Sequence, residues 1–116
     1  MAIDPATIRE LKQLDTAGGG GLLAELVGLF ASGTPERISR LRAAAVAGDC
    51  PAVAAGAHAL KGSAGALGAT AMLALAGELE GSAKAGLLEG AAARLDAIEA
   101  EFRIALRELE EEKARS

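Results

Sequence analysis

Only two aromatic rings, Phe30 and Phe102, stand in a chain whose residues are 51% hydrophobic. A core with so few rings must be filled largely by alanine and leucine, which are strong helix formers, and β-branched residues are scarce. The chain is therefore expected to be all-α. Small side chains let helix axes approach toward the short end of the roughly 8–10 Å range. A length of 116 residues suits a single domain spanning 1–116, with a modest core that needs neither metals nor disulfides.

Local chemistry divides the chain into helices. Asp4-Pro5 reads as an N-cap followed by proline at the first helical position, with Ile8, Leu11 and Leu14 facing inward. Gly18 to Gly21 stop that helix; they lack the lysine-serine ending and preceding strand of a phosphate-binding loop. Leu22, Leu23, Leu26, Val27 and Phe30 make a second helix; Ser32-Gly33-Thr34-Pro35 is expected to interrupt it, with Thr34-Pro35 again reading as a cap followed by proline at the first helical position. A third then carries Ile38, Leu41 and Ala45 and ends near Gly48. Asp49-Cys50-Pro51 opens a fourth that runs to about Leu67, with Gly68 just past its end. Thr70 is expected to cap a fifth with Leu73, Ala76, Leu79 and Ala83 inward. Leu88, Leu95, Ile98, Phe102, Leu106 and Leu109 define a long last helix whose charged tail, Glu108 to Arg115, is expected to project into solvent. Short connections favour antiparallel neighbours in an up-down bundle.

Charge and cysteine usage exclude several functions. The net charge is −4, and no basic stripe with interleaved aromatics is present, which speaks against nucleic acid as a partner. Arg37, Arg40 and Arg42 read as a solvated face rather than a docking patch. Cys50 is the one cysteine, so no internal disulfide forms, and a reducing compartment fits. Charged residues interrupt the N-terminus where a signal sequence would lie. The longest uncharged stretch, between Lys61 and Glu78, is too short to span a bilayer, which takes about 20 residues. The expectation is a cytoplasmic monomer with no membrane association, and Met1 with the charged carboxyl end favours a free-standing chain.

The chemistry gathers around the single histidine. At roughly 100° per residue, His58, Lys61, Gly62 and Gly65 fall on one helix face while Leu60, Ala64 and Leu67 fall on the other. Each mid-helix glycine costs about 0.5–1 kcal/mol relative to alanine, so a bare exposed face implies clearance for something large. Imidazole is largely uncharged near neutral pH and keeps a lone pair on one nitrogen, so it is a nucleophile without a separate base. Phosphoryl transfer chiefly needs positioning and positive charge, and Lys61 stands one turn away. If the chain reverses around residues 68–70, His58 lies level with about Glu80, with Glu78 the near alternative. A carboxylate there would accept the Nδ1 proton and leave Nε2 free to attack. Nothing in the sequence binds ATP, and no His/Cys cluster suggests a metal site.

The string His58-Ala59-Leu60-Lys61-Gly62-Ser63-Ala64-Gly65-Ala66-Leu67-Gly68-Ala69 resembles the histidine-containing phosphotransfer (HPt) domain of bacterial two-component phosphorelays. The family pattern is roughly His-x-Leu-Lys-Gly-Ser/Ala-Ala/Ser-x-x-Leu-Gly-Ala, matched here without a gap. Gly48-Asp49 and Glu78-Leu79-Glu80 are similar to the family's flanks, and the strong match covers residues 48–81. The resemblance implies an antiparallel four-helix bundle with one or two additional N-terminal helices. It implies that His58 takes a phosphoryl group at Nε2 from one receiver domain's aspartate and passes it to another. Lys61 would assist, Gly62 would admit the receiver on the face it shares with Gly65, a residue placed there by helical spacing and not by the resemblance, and Glu80 would orient the ring. The chain would be a phosphocarrier rather than an enzyme, with no cofactor of its own. Mg²⁺ would come with the receiver, and the upstream donor would be a sensor or hybrid histidine kinase.

Two rival readings are a sensor-kinase dimerisation and phosphoacceptor domain and a non-catalytic helical interaction module. Ala59, where the former usually has an acidic residue, and the absence of proline after Pro51 speak against the first.

Overall fold

Residues 2–18 and 21–115 are described by the structure, a computed structural model. They form five helices: α1 (Pro5–Gly18), α2 (Leu22–Val46), α3 (Cys50–Ala66), α4 (Thr70–Lys84) and α5 (Ala91–Arg115). Short turns join α2, α3, α4 and α5, so consecutive helices run antiparallel. Each packs on the next, and α5 closes the ring against α2, while α1 lies on α2. The architecture is all-α, an up-down four-helix bundle with one additional N-terminal helix.

Alanine and leucine fill the interior as the composition requires. Val53, Ala57, Leu60 and Ala64 are the buried stripe of α3, and Leu95, Ile98, Phe102, Ala105 and Leu109 belong to that of α5. The two rings meet across the bundle, Phe30 of α2 edge-on to Phe102 of α5 with centroids 4.9 Å apart. Close approach shows at Gly56, where a Cβ would stand 2.6 Å from Leu41 Cδ2. That glycine is a packing residue of the α2–α3 interface.

Helix ends follow local rules in part. Asp4 Oδ1 accepts from the Ala6 amide at 3.1 Å ahead of Pro5, and Asp49 caps α3 through the Ala52 amide at 3.1 Å. The Asp15 carboxylate accepts from the amides of Leu22 and Leu23 at the start of α2. Gly19 and Gly20 of the expected glycine stop, like Met1, lie outside the described residues.

Several expectations are corrected. Ser32-Gly33-Thr34-Pro35 does not interrupt: α2 runs through Pro35, and Thr34 is buried mid-helix rather than capping. An interior proline costs a helix about 3 kcal/mol. The buried stripe Val27, Phe30, Thr34, Ile38 and Leu41 keeps helical spacing across the proline, so burial on both sides outweighs that local cost. At the start of α4, Ala69 and not Thr70 is the cap residue, and no side chain serves it. The α4 stripe begins at buried Met72, leaving Leu73 partly exposed. Leu14 is exposed, and Leu88 lies in the connection before α5 rather than within it.

The acidic tail does not project freely. The Glu108 carboxylate accepts from the Ala2 amide at 2.8 and 2.9 Å and from the Ile3 amide at 3.3 Å. Glu112 pairs with Lys12 at 2.7 Å, and Leu109 is fully buried. The N-terminal segment continues onto the α3–α4 turn, where the Asp4 amide donates to the Gly68 carbonyl at 2.7 Å. Gly68 has φ +72°, and a Cβ there would press to 2.9 Å from Thr7 Cβ, so glycine is required on both counts. This clasp holds the turn that sets the register of α3 against α4.

Candidate functional site

The α3–α4 hairpin brings His58 opposite Glu80, with Nδ1 3.0 Å from Oε2. Glu78, the alternative left open by sequence, is exposed. The imidazole is 69% exposed, whereas the Glu80 side chain is only 6% exposed. An ionised carboxylate accepts only, so the proton sits on Nδ1, donated to Glu80, and Nε2 keeps the lone pair.

Two ammoniums complete the cluster. Lys61 Nζ lies 2.8 Å from Glu80 Oε1, and Lys84 Nζ lies 3.0 Å from Oε2. Lys61 therefore rests on the carboxylate, where sequence reasoning put its charge beside an incoming phosphoryl group. Lys84 was missed altogether. Its signal is the four-residue spacing from Glu80 on one helix, which gains meaning only once Glu80 is known to be buried. The Glu80 carboxyl is held down to about 2 from the ordinary 4.5, first by its bond to Lys61, then by Lys84, with His58 adding less.

That depression has a sign for stability. Between pH 4.5 and about 2 the unfolded chain binds a proton at Glu80 that the folded chain refuses. The contribution is complete above 4.5 and is lost as pH falls through that window. Glu112, lowered by Lys12, acts in the same direction. Thermal unfolding of Glu80→Gln, measured in steps from about pH 5 to about 2.5, is expected to show a flatter acid dependence than the parent. An unchanged slope would remove Glu80 as a source.

The glycines of the face separate by what surrounds them. A Cβ on Gly62 would meet nothing within 4 Å, whereas one on Gly65 would stand 3.1 Å from Leu73 Cδ1. Gly62 thus serves no internal packing, and Gly65 has a neighbour to accommodate. Beside Gly62 a groove of about 510 Å³ opens between α2 and α3, lined by Leu26, Leu29, Gly33, Arg37 and Ala66 among others. Leu29 is exposed there. Of the three arginines read as a solvated face, Arg40 pairs with Glu36 at 2.9 Å and Arg42 with Asp96 at 2.9 Å. Arg37 borders the groove instead. Among the described residues, no group of three His, Cys, Asp or Glu could hold a metal ion. No described helix is long and apolar enough to cross a membrane.

The exposed imidazole facing a buried carboxylate stands on an all-α bundle, and comparison with known proteins places that bundle in a family. The family model described as the Hpt domain matches residues 25–112, and the chain belongs to that family. Its function is histidine phosphotransfer in two-component phosphorelays, the work of a phosphocarrier. The fold is similar to the crystal structure of histidine-containing phosphotransfer protein B (HptB) from Pseudomonas aeruginosa PAO1. The TM-score is 0.88, with 30% identity over 99% of this chain and 96% of that one. No curated protein matches the chain in sequence.

Proposed function

We propose that His58 is the phosphoacceptor, taking its group from the aspartyl phosphate of one receiver domain and yielding it to the aspartate of another. The reading is carried by one observation: an exposed imidazole whose Nδ1 faces a buried carboxylate, one turn from a glycine with open space above it. The Nε2 lone pair forms the N–P bond while the P–O bond to the donor aspartate breaks, leaving its electron pair on that carboxylate. The ring then bears Nδ1–H and a positive charge, which Glu80 stabilises in place. Lys61 supplies charge to the phosphoryl oxygens, and Gly62, Gly65 and the apolar α2–α3 groove form the approach for the receiver. The chain brings no cofactor and no ATP site; Mg²⁺ arrives with the receiver domain. It works as a cytoplasmic monomer between a sensor or hybrid histidine kinase and its receivers.

Incubation with a labelled phospho-receiver tests the proposal. The chain is expected to take up label that is lost in acid and kept in alkali, as a phosphoramidate is. Acid-stable label would assign the chemistry to another side chain. Tight receiver binding without label would make the chain an interaction module.

A further inference from the structure

We propose that Lys84 is a positioning residue that releases Lys61 for the phosphoryl group, an inference that rests on His58 being the phosphoacceptor. Each Glu80 oxygen carries one ammonium, Lys61 on Oε1 at 2.8 Å and Lys84 on Oε2 at 3.0 Å. One carboxylate needs one cation for charge balance, so one of the two is surplus. The Oε2 atom also receives the His58 Nδ1 proton at 3.0 Å. His58 Nδ1 and Lys84 Nζ therefore share one oxygen of Glu80, while Lys61 holds the other.

To assist transfer, Lys61 must turn from Oε1 toward the phosphoryl oxygens. Were it the sole counter-ion, that turn would, until the N–P bond forms, leave a carboxylate whose side chain is 6% exposed with only the ring N–H as partner. Removing one partner of an enclosed ion pair is strongly unfavourable, because the remaining charge has lost water without gaining compensation. Lys84 lies one turn beyond Glu80 on α4, and its own side chain is 67% exposed. It can therefore hold Glu80 at little cost while Lys61 leaves. Lys61 comes from the opposite helix, and its arm passes Gly77, where a Cβ would lie 3.7 Å from Lys61 Cδ. The lysine on the carboxylate's own helix anchors it, and the lysine from α3, beside the histidine, moves.

A double-mutant cycle on transfer from a labelled phospho-receiver reads this directly. Lys84→Ala is expected to slow transfer about tenfold, and Lys84→Arg to restore it to within about twofold of the parent. Because Lys84 acts through Lys61, adding Lys84→Ala to Lys61→Ala is expected to slow transfer far less than the about tenfold that it costs in the parent. A purely structural role would give losses that multiply in the double variant, and that result, or a parental rate in Lys84→Ala, would overturn the proposal. Matching melting curves exclude misfolding as the source of a slow variant. Label that persists in His58→Gln would instead remove the phosphoacceptor reading. Label lost there but insensitive to Lys84 keeps that reading and removes the role given to Lys84.

Discussion

Replacing His58 with glutamine is expected to abolish acceptance of label from any phospho-receiver while leaving thermal unfolding close to that of the parent. The two halves follow from separate observations. The side chain is 69% exposed, and Nδ1 faces Glu80. A glutamine amide can donate to the same carboxylate, and exposed substitutions of this kind stay within about 0.5 kcal/mol. The chemistry, by contrast, has no substitute. An amide nitrogen has no available lone pair, Lys61 and Lys84 hold their ammoniums against Glu80, and protonated amines are not nucleophiles. Ser63 is exposed but lies off the His58 face, toward the groove. Transfer to the variant measured alongside its melting temperature decides the matter. Residual acid-labile label in a folded variant would place the acceptor elsewhere.

How much of this was legible in the sequence depends on the range of the interaction. Features set within one helical turn could be read: Asp4 before Pro5, Asp49 ahead of Pro51, and Gly68 at the hairpin turn all stand where local chemistry puts them. The hairpin register follows from that turn, which is why His58 could be set level with Glu80. Features set by packing could not be read. Pro35 looked like a break because its local cost is visible, while the stripe that overrides it takes meaning from α3 and α5. The tail looked solvated because the partners of Glu108 and Glu112 come from residues 2–12, at the other end of the chain. Lys84 escaped for the same reason. An i,i+4 pair on a helix surface is ordinary, and only the burial of Glu80 turns it into part of a site.

Gly62→Gln is expected to make the protein slightly more stable and far slower, a combination that packing alone cannot produce. With nothing within 4 Å of a Cβ at this position, the longer side chain meets no obstacle inside the molecule. Glycine to glutamine in a helix interior recovers about 0.5–1 kcal/mol of backbone entropy, so the melting temperature should rise by a few degrees. The same side chain, however, stands one turn from His58, over the mouth of the groove between α2 and α3. In-line transfer needs the reacting atoms about 3–3.5 Å apart, and a displacement of about 1 Å can cost a factor of about 100. A receiver lifted off this face by several atoms should therefore transfer at least about a hundredfold more slowly. Gly62→Ala gives a graded control, with much of the stability gain and less of the obstruction. Gly65→Ala is the contrasting case, since its Cβ would press on Leu73 and any loss there would be accompanied by a change in stability. Parental transfer rates in a well-folded Gly62→Gln chain would mean that the receiver approaches from another side, and the open ground beside the imidazole would then need a different explanation.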